Sequence, residues 1–152
     1  MASISDKGLA FIRAQEGLRL SPYLDQVGIM TIGYGHARWT GGDITEAQAE
    51  ALLQDDLRPC LACIDQRVTA PITQPMVDAL CSLIFNCGPG ALVNSDLGRN
   101  LNAGNYQEAG DGFLDWCHGI VGGQKVVLPV LLARRDAERE LFLSQLPDEP
   151  EA

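Results

Sequence analysis

The sequence predicts an α+β chain with a small N-terminal lobe built on a β-hairpin, a connecting helix and a mainly helical C-terminal lobe. Three observations carry this. Between Leu20 and Gly35 the apolar residues alternate, Met30, Ile32 and Tyr34 against Thr31, Gly33 and Gly35, beside the turn-forming run Asp25-Gln26-Val27-Gly28. On both sides of that stretch the spacing is that of amphipathic helices. Past Arg67 only helix signals are read. At 152 residues, 46% hydrophobic and 20% charged, the chain fits one domain able to bury a sizeable core. We read residues 1–146 as that domain, with lobes at about 1–43 and 71–146 joined by a helix over about 45–68.

The elements follow in order. Ile4 and Leu9 flank Ser5 as a hydrophobic staple around an N-cap, Leu9, Ile12 and Arg13 keep helical spacing to Glu16, and Gly17 is a natural stop. The hairpin comes next, then a loop, Trp39-Thr40-Gly41-Gly42-Asp43. Ile44 with the capping box of Thr45 and Gln48 opens the connecting helix, which Pro59 should kink or split. Thr73 or Gln74 with Pro75 starts a helix to about Asn86, and Gly88-Pro89-Gly90 breaks it. Shorter helices are expected from Ser95 and Asn105. A last one after Pro129 carries Val130, Leu131, Ala133, Arg134, Ala137, Leu141 and Phe142.

Composition excludes several classes of function. A net charge of −9 argues against unaided nucleic-acid binding, since polyphosphate would be repelled. No run approaches the roughly 20 apolar residues that span a bilayer, so stable membrane insertion is not expected. Met1 to Gly8 lacks the basic flank and apolar run of a signal peptide, which implies release by another factor if the protein acts outside the cytoplasm. Five cysteines, Cys60, Cys63, Cys81, Cys87 and Cys117, are odd in number and unevenly spaced, the pattern of reduced thiols. Cys60-Leu61-Ala62-Cys63 reads as two small apolar residues one turn apart, and no His/Cys cluster supports a metal site. The Gly-rich segments lack nucleotide-loop patterns, so no cofactor is expected. The acidic end, 147–152, reads as a disordered tail.

Glycosidic hydrolysis needs one protonated carboxyl to serve the leaving oxygen and one carboxylate acting on the other face of the sugar. Glu16 closes an apolar helix, where the dipole's negative end and partial burial favour a neutral carboxyl, whereas Asp25 sits in a polar turn. Thr31 on the facing strand offers a hydroxyl beside Asp25. With 20 acidic residues in the chain, spacing alone does not single out this pair.

The ordered motifs do. Glu16-Gly17-Leu18-Arg19, Tyr23-Leu24-Asp25 and Thr31-Ile32-Gly33-Tyr34-Gly35-His36 resemble the catalytic segment of the phage-type lysozymes, the endolysin muramidases. Ile44-Thr45-Glu46-Ala47-Gln48-Ala49 with Leu52-Leu53 is similar to that family's lobe-connecting helix. Phe85-Asn86-Cys87-Gly88-Pro89-Gly90-Ala91 resembles its cleft wall, and Leu132 to Phe142 its closing helix. The resemblance implies a lysozyme-like fold that hydrolyses the β-1,4 bond between N-acetylmuramic acid and N-acetylglucosamine. It gives Glu16 as general acid, Asp25 as second carboxylate and Thr31 as third member. Phe85 and Asn86, and less securely Ser95 and Asp111, match positions lining the sugar cleft. Gly33 and Gly35 either admit the sugar close to the backbone or relieve a bulged hairpin. His36 matches a supporting residue near the acid, expected to pair with a carboxylate.

The other expectations complete this reading. Arg134, Arg135, Glu138 and Arg139 form a solvated, salt-bridged helix face. Trp116 packs in the core and Trp39 is the better sugar ligand. The implied partners are peptidoglycan glycan strands and a separate holin-like protein, for a monomer made in the host cytoplasm and acting at the wall in the periplasm. A toxin or virion-associated muramidase, an enzyme on a related polymer such as chitin, and a non-catalytic wall-binding module are the alternatives. The acidic charge, Pro59 and the cysteine content depart from the family pattern.

Overall fold

Ser5 starts the first helix as its sequence context demands. In the computed structural model, which describes residues 1–149, its hydroxyl accepts the Gly8 N–H at 3.0 Å, and α1 runs Asp6–Glu16. The Gly17 N–H returns to the Arg13 carbonyl, which ends the helix with Glu16 on its last turn. Strands β1 (Arg19–Leu24) and β2 (Met30–Gly33) then pair antiparallel with Tyr23 opposite Thr31 and Leu24 opposite Met30. A bulge lies between Arg19 and Tyr23, where Pro22 has no N–H to give to the ladder. A two-residue strand, β3 (His36–Ala37), pairs with the other side of β2 and makes a three-stranded sheet with β2 in the centre.

The connecting helix α2 spans Glu46–Arg67 and opens with the expected reciprocal cap, Gln48 N–H on Thr45 Oγ1 and Thr45 N–H on Gln48 Oε1. Pro59 does not split it. The helix continues for two turns beyond, because Leu53, Leu57, Cys60 and Ile64 are all buried and their packing outweighs one missing ladder hydrogen bond. α3 (Gln74–Cys87) is buried along nearly its whole length and is the centre of the helical region. Around it lie α4 (Gly90–Val93), α5 (Asp96–Asn102, capped by Ser95), α6 (Tyr106–Asp111), a single 3-10 turn (Gly112–Asp115) and α7 (Pro129–Leu143).

The helical region is not all helix. A second hairpin, β4 (His118–Val121) and β5 (Gln124–Val127), precedes α7. Its two-residue loop, Gly122-Gly123, has φ of 58° and 80°, a backbone that only glycine adopts without strain. One continuous core joins the regions, from Leu9 and Ile12 of α1 and Ile32 of β2 through α2 and α3 to Phe113 and Phe142. The two Phe rings meet with centroids 5.2 Å apart. All five cysteines are free thiols. Residues 147–149 form no helix or strand, and the rest of the expected tail, 150–152, lies outside the described residues.

Candidate active site

The turn of the first hairpin is tied by its own carboxylate. Asp25 Oδ1 accepts the N–H groups of Val27 and Ile29, each at 2.9 Å, while the Asp25 N–H donates to the Ile29 carbonyl at 2.9 Å. An Asp in this place fixes the loop and leaves Oδ2 with no hydrogen-bond partner among the described residues. Thr31 is buried, and its hydroxyl donates to the Ile29 carbonyl at 2.9 Å, not to Asp25. Ile29 therefore links the two side chains through its peptide group. With its proton committed, the Thr31 oxygen is left as an acceptor facing the same turn.

Glu16 closes α1, just ahead of the hairpin. Gly35 lies against it: a Cβ built at Gly35, where φ is +83°, would stand 3.3 Å from Glu16 Oε1. Glu16 Oε2 accepts from Arg134 Nη1 of α7 at 2.5 Å, and the two side chains are 17% and 7% exposed. The pair spans the fold from its first helix to its last. It also overturns the expected solvated face on α7. Arg134 and Arg135 are buried, Glu138 is fully so, and only Arg139 turns outward, to Asp111. Glu138 Oε2 accepts from Ser82 Oγ at 2.5 Å and from Arg134 Nε at 3.3 Å, and its Oε1 lies 3.1 Å from Arg135 Nη1. Burial pushes the Glu138 carboxyl up from its ordinary range, against the two guanidinium groups and Ser82, which pull it down. The sequence holds the signal for this: Leu131, Arg135, Glu138 and Phe142 recur at the spacing of one helix face, so the charged residues stand in the row that packs inward.

His36 pairs with Asp56 of α2, Nδ1 to Oδ2 at 2.8 Å, and meets Trp39 edge-on with ring centroids 6.1 Å apart. Gly33 faces α2, where a Cβ would stand 3.3 Å from that of Ala49. Gly33 and Gly35 both have positive φ, +66° and +83°, which favours glycine, and a side chain would crowd Ala49 at the first and the Glu16 carboxyl at the second. In the helical region a groove of about 660 Å³ is walled by Asn86, Ser95, Trp116, His118, Lys125 and Leu131, and none of Glu16, Asp25 and Thr31 lines it. Phe85 is half-buried against the core beside it. The Asn86 amide oxygen accepts from Arg135, which fixes its orientation at the rim. Ser95 lines the groove, but its hydroxyl is spent as the α5 cap, accepting Gly98 N–H at 3.0 Å and donating to the Ala91 carbonyl at 2.6 Å. Asp111 stands apart from the groove, held by Nε and Nη2 of Arg139 at 2.8 and 2.6 Å. Both tryptophans are half-buried against the core: Trp39 Nε1 donates to the Gly42 carbonyl and its ring covers Gly41, while Trp116 packs on the core as expected and also lines the groove.

The family model described as phage lysozyme matches residues 13–138, a span that holds Glu16, the whole first hairpin and the Arg134–Glu138 cluster. The chain belongs to the phage lysozyme family. An endolysin of Acyrthosiphon pisum secondary endosymbiont phage 1 is 43% identical over 143 residues, covering 93% of this chain and 98% of that protein. The endolysin of Salmonella phage P22 is 41% identical over 151 residues, covering 95% and 100%. Among solved structures, the muramidase domain of SpmX from Asticaccaulis excentricus superposes with a TM-score of 0.88 at 37% identity, over 94% of this chain and 99% of that one. The phage lysozyme fold thus accounts for nearly the full length, with the second hairpin of this chain included in it. Among the described residues no group of three His, Cys, Asp or Glu side chains is placed to hold a metal, and no helix is long and apolar enough to cross a membrane.

Proposed function

We propose that the chain is a muramidase of the endolysin type, hydrolysing the β-1,4 bond between N-acetylmuramic acid and N-acetylglucosamine in peptidoglycan. The observation that supports this is that Glu16 is held at Oε2 by Arg134 and Asp25 at Oδ1 by its own turn, each with its other carboxyl oxygen free of hydrogen-bond partners among the described residues. Glu16, anchored at Oε2 by Arg134, gives a proton from its other oxygen to the glycosidic oxygen as the C–O bond breaks. A water that donates to Asp25 Oδ2 and to the Thr31 oxygen attacks the anomeric carbon from the opposite face and passes its proton to Asp25. The configuration inverts, since water and not the carboxylate forms the new bond. His36, tied to Asp56, serves as a strut between hairpin and α2. The glycan continues past Asn86 into the groove beside Trp116, where a sugar face finds an aromatic surface.

The remaining parts of this reading concern the cell. The enzyme is made in the host cytoplasm, works as a monomer, and reaches the periplasmic wall through a separate membrane-permeabilising protein. Its substrate partner is the glycan strand, with no nucleic acid and no cofactor. The deciding experiment is digestion of purified peptidoglycan. Soluble muropeptides with new reducing ends on muramic acid are expected, and a Glu16→Gln variant with an unchanged melting temperature should release none. Binding without release would point to the wall-binding module instead, and new ends on glucosamine to a different bond.

A further inference from the structure

Two guanidinium groups are buried behind Glu16, and their charge must be balanced. We propose that Glu138 is a positioning residue for the catalytic acid: it supplies the counter-charge that lets Arg134 hold Glu16 while Glu16 carries the proton it must donate. This rests on the assignment of Glu16 as the acid.

The count of charges makes the case. Arg134 and Arg135 are 7% and 0% exposed, and the two carboxyls bonded to them are Glu16 and Glu138. When Glu16 is protonated, ready for reaction, Glu138 is the single remaining anion of the cluster. Without it two cations would stand together away from water, a state that desolvation makes costly. Arg134 would then draw the proton off Glu16. The geometry fits a shared clamp. Arg134 gives Nη1 to Glu16, Nε to Glu138 and Nη2 to the carbonyl and hydroxyl of Ser82, the last two at 3.3 Å. Ser82 Oγ in turn donates to Glu138 Oε2. Every direction of the guanidinium is thus fixed, and Glu16 Oε2 sits at the end of the chain.

The charged and titratable groups around Glu138 are few. On its own helix they are Arg134 and Arg135; from α3 come the Ser82 hydroxyl and Cys87, whose sulfur lies 3.0 Å from Arg135 Nη1; from α1 comes Glu16, across Arg134. On α6 Asp111 is taken up by Arg139 at the surface, away from this cluster.

The test uses the whole enzyme and the pH dependence of kcat/KM on purified peptidoglycan. Glu138→Gln keeps the shape and removes the charge. Its activity limb on the alkaline side, where the acid loses its proton, should move to lower pH by about one unit, the size of a lost charge interaction passed through one bonded neighbour. The kcat at neutral pH should fall roughly tenfold with KM held, as placement of the acid suffers. An unmoved limb with activity scaling only with the folded fraction would overturn the proposal and leave Glu138 a structural core charge. Should Glu138→Gln not fold, Ser82→Ala decides: a kcat loss of several-fold at unchanged KM and melting temperature supports the clamp, and parental kinetics overturn it. Parental enzyme that releases no muropeptides would instead remove the assignment of the acid, a separate failure.

Discussion

The two hairpins of this molecule, with strands of six and four residues in the first and four and four in the second, have opposite physics. The first is anchored on three sides: Thr31, Ile32 and Gly33 are buried, β2 packs on α2 through Gly33 and Ala49, and the turn is tied by the Asp25 carboxylate. The second is a two-stranded ribbon whose outward side chains, Ile120, Val121 and Val127, are 72%, 58% and 49% exposed, and whose turn is two glycines. A two-stranded ribbon alone is marginal in water, so it depends on the Leu128 side chain packed over Gly119 and on the Leu128 N–H bond to the Cys117 carbonyl at 2.8 Å. Rigid backbone is where a reacting carboxylate must stand, because placement enters the rate directly. A looser ribbon serves to shape a groove. The first hairpin should therefore govern kcat and the second KM.

Substitutions can break that division. Asp25→Asn keeps an oxygen for the Val27 and Ile29 N–H groups and removes the base, so kcat should fall by about 10²- to 10⁴-fold with KM and melting temperature nearly parental. A raised KM at full kcat in steady-state assays would place Asp25 in binding and cancel the contrast. Trp116→Ala removes the aromatic wall of the groove. KM should rise roughly fivefold at unchanged kcat, the worth of about 1 kcal/mol of stacking. A kcat loss there would mean that the groove takes part in the chemistry.

Smaller effects sharpen the picture. Replacing Gly122 and Gly123 by alanine puts two side chains at positive φ, each costing about 1 kcal/mol, or about 2–4 °C of melting temperature per kcal/mol in a chain this size. Scanning calorimetry would show this, and KM should rise while kcat stays. Amide exchange should likewise be faster in β4 and β5 than in β2, as a measure of local opening. The smallest effect is ionic. At a net charge of −9, adsorption to an anionic wall should ease from low to moderate salt, where the screening length falls to about 10 Å at 0.1 M. A lysis rate that falls steadily with salt would reveal a local basic surface at work.

The same contrast explains what could be read from the chain. Helix ends were legible because caps are local: Ser5, Gly17, Thr45 with Gln48, Ser95 and Asn105 stand where the structure uses them. The first hairpin was legible by alternation and by motif. The second was not, although Gly119-Ile120-Val121-Gly122-Gly123-Gln124-Lys125-Val126-Val127 holds a two-glycine turn between β-branched residues, a signal outweighed by the helices around it. Glu16, Asp25 and Thr31 stand in the sequence as candidates, but the distant partners that hold Glu16 do not. Arg134 is 118 residues from Glu16, and Ser82 is 56 from Glu138. Partners so distant are set by packing of α1, α3 and α7, and a row of arginines reads as surface until that packing is known.

The claim at the centre is that Asp25 and Thr31 direct a water while Glu16 protonates the leaving oxygen. Proton NMR of the anomeric region during the first turnovers on a soluble glycan fragment tests it most directly, before mutarotation mixes the products. The account predicts the α-anomer of the new reducing end as first product. The β-anomer appearing first would show retention, make Asp25 a nucleophile, and contradict the water-directing role of Thr31.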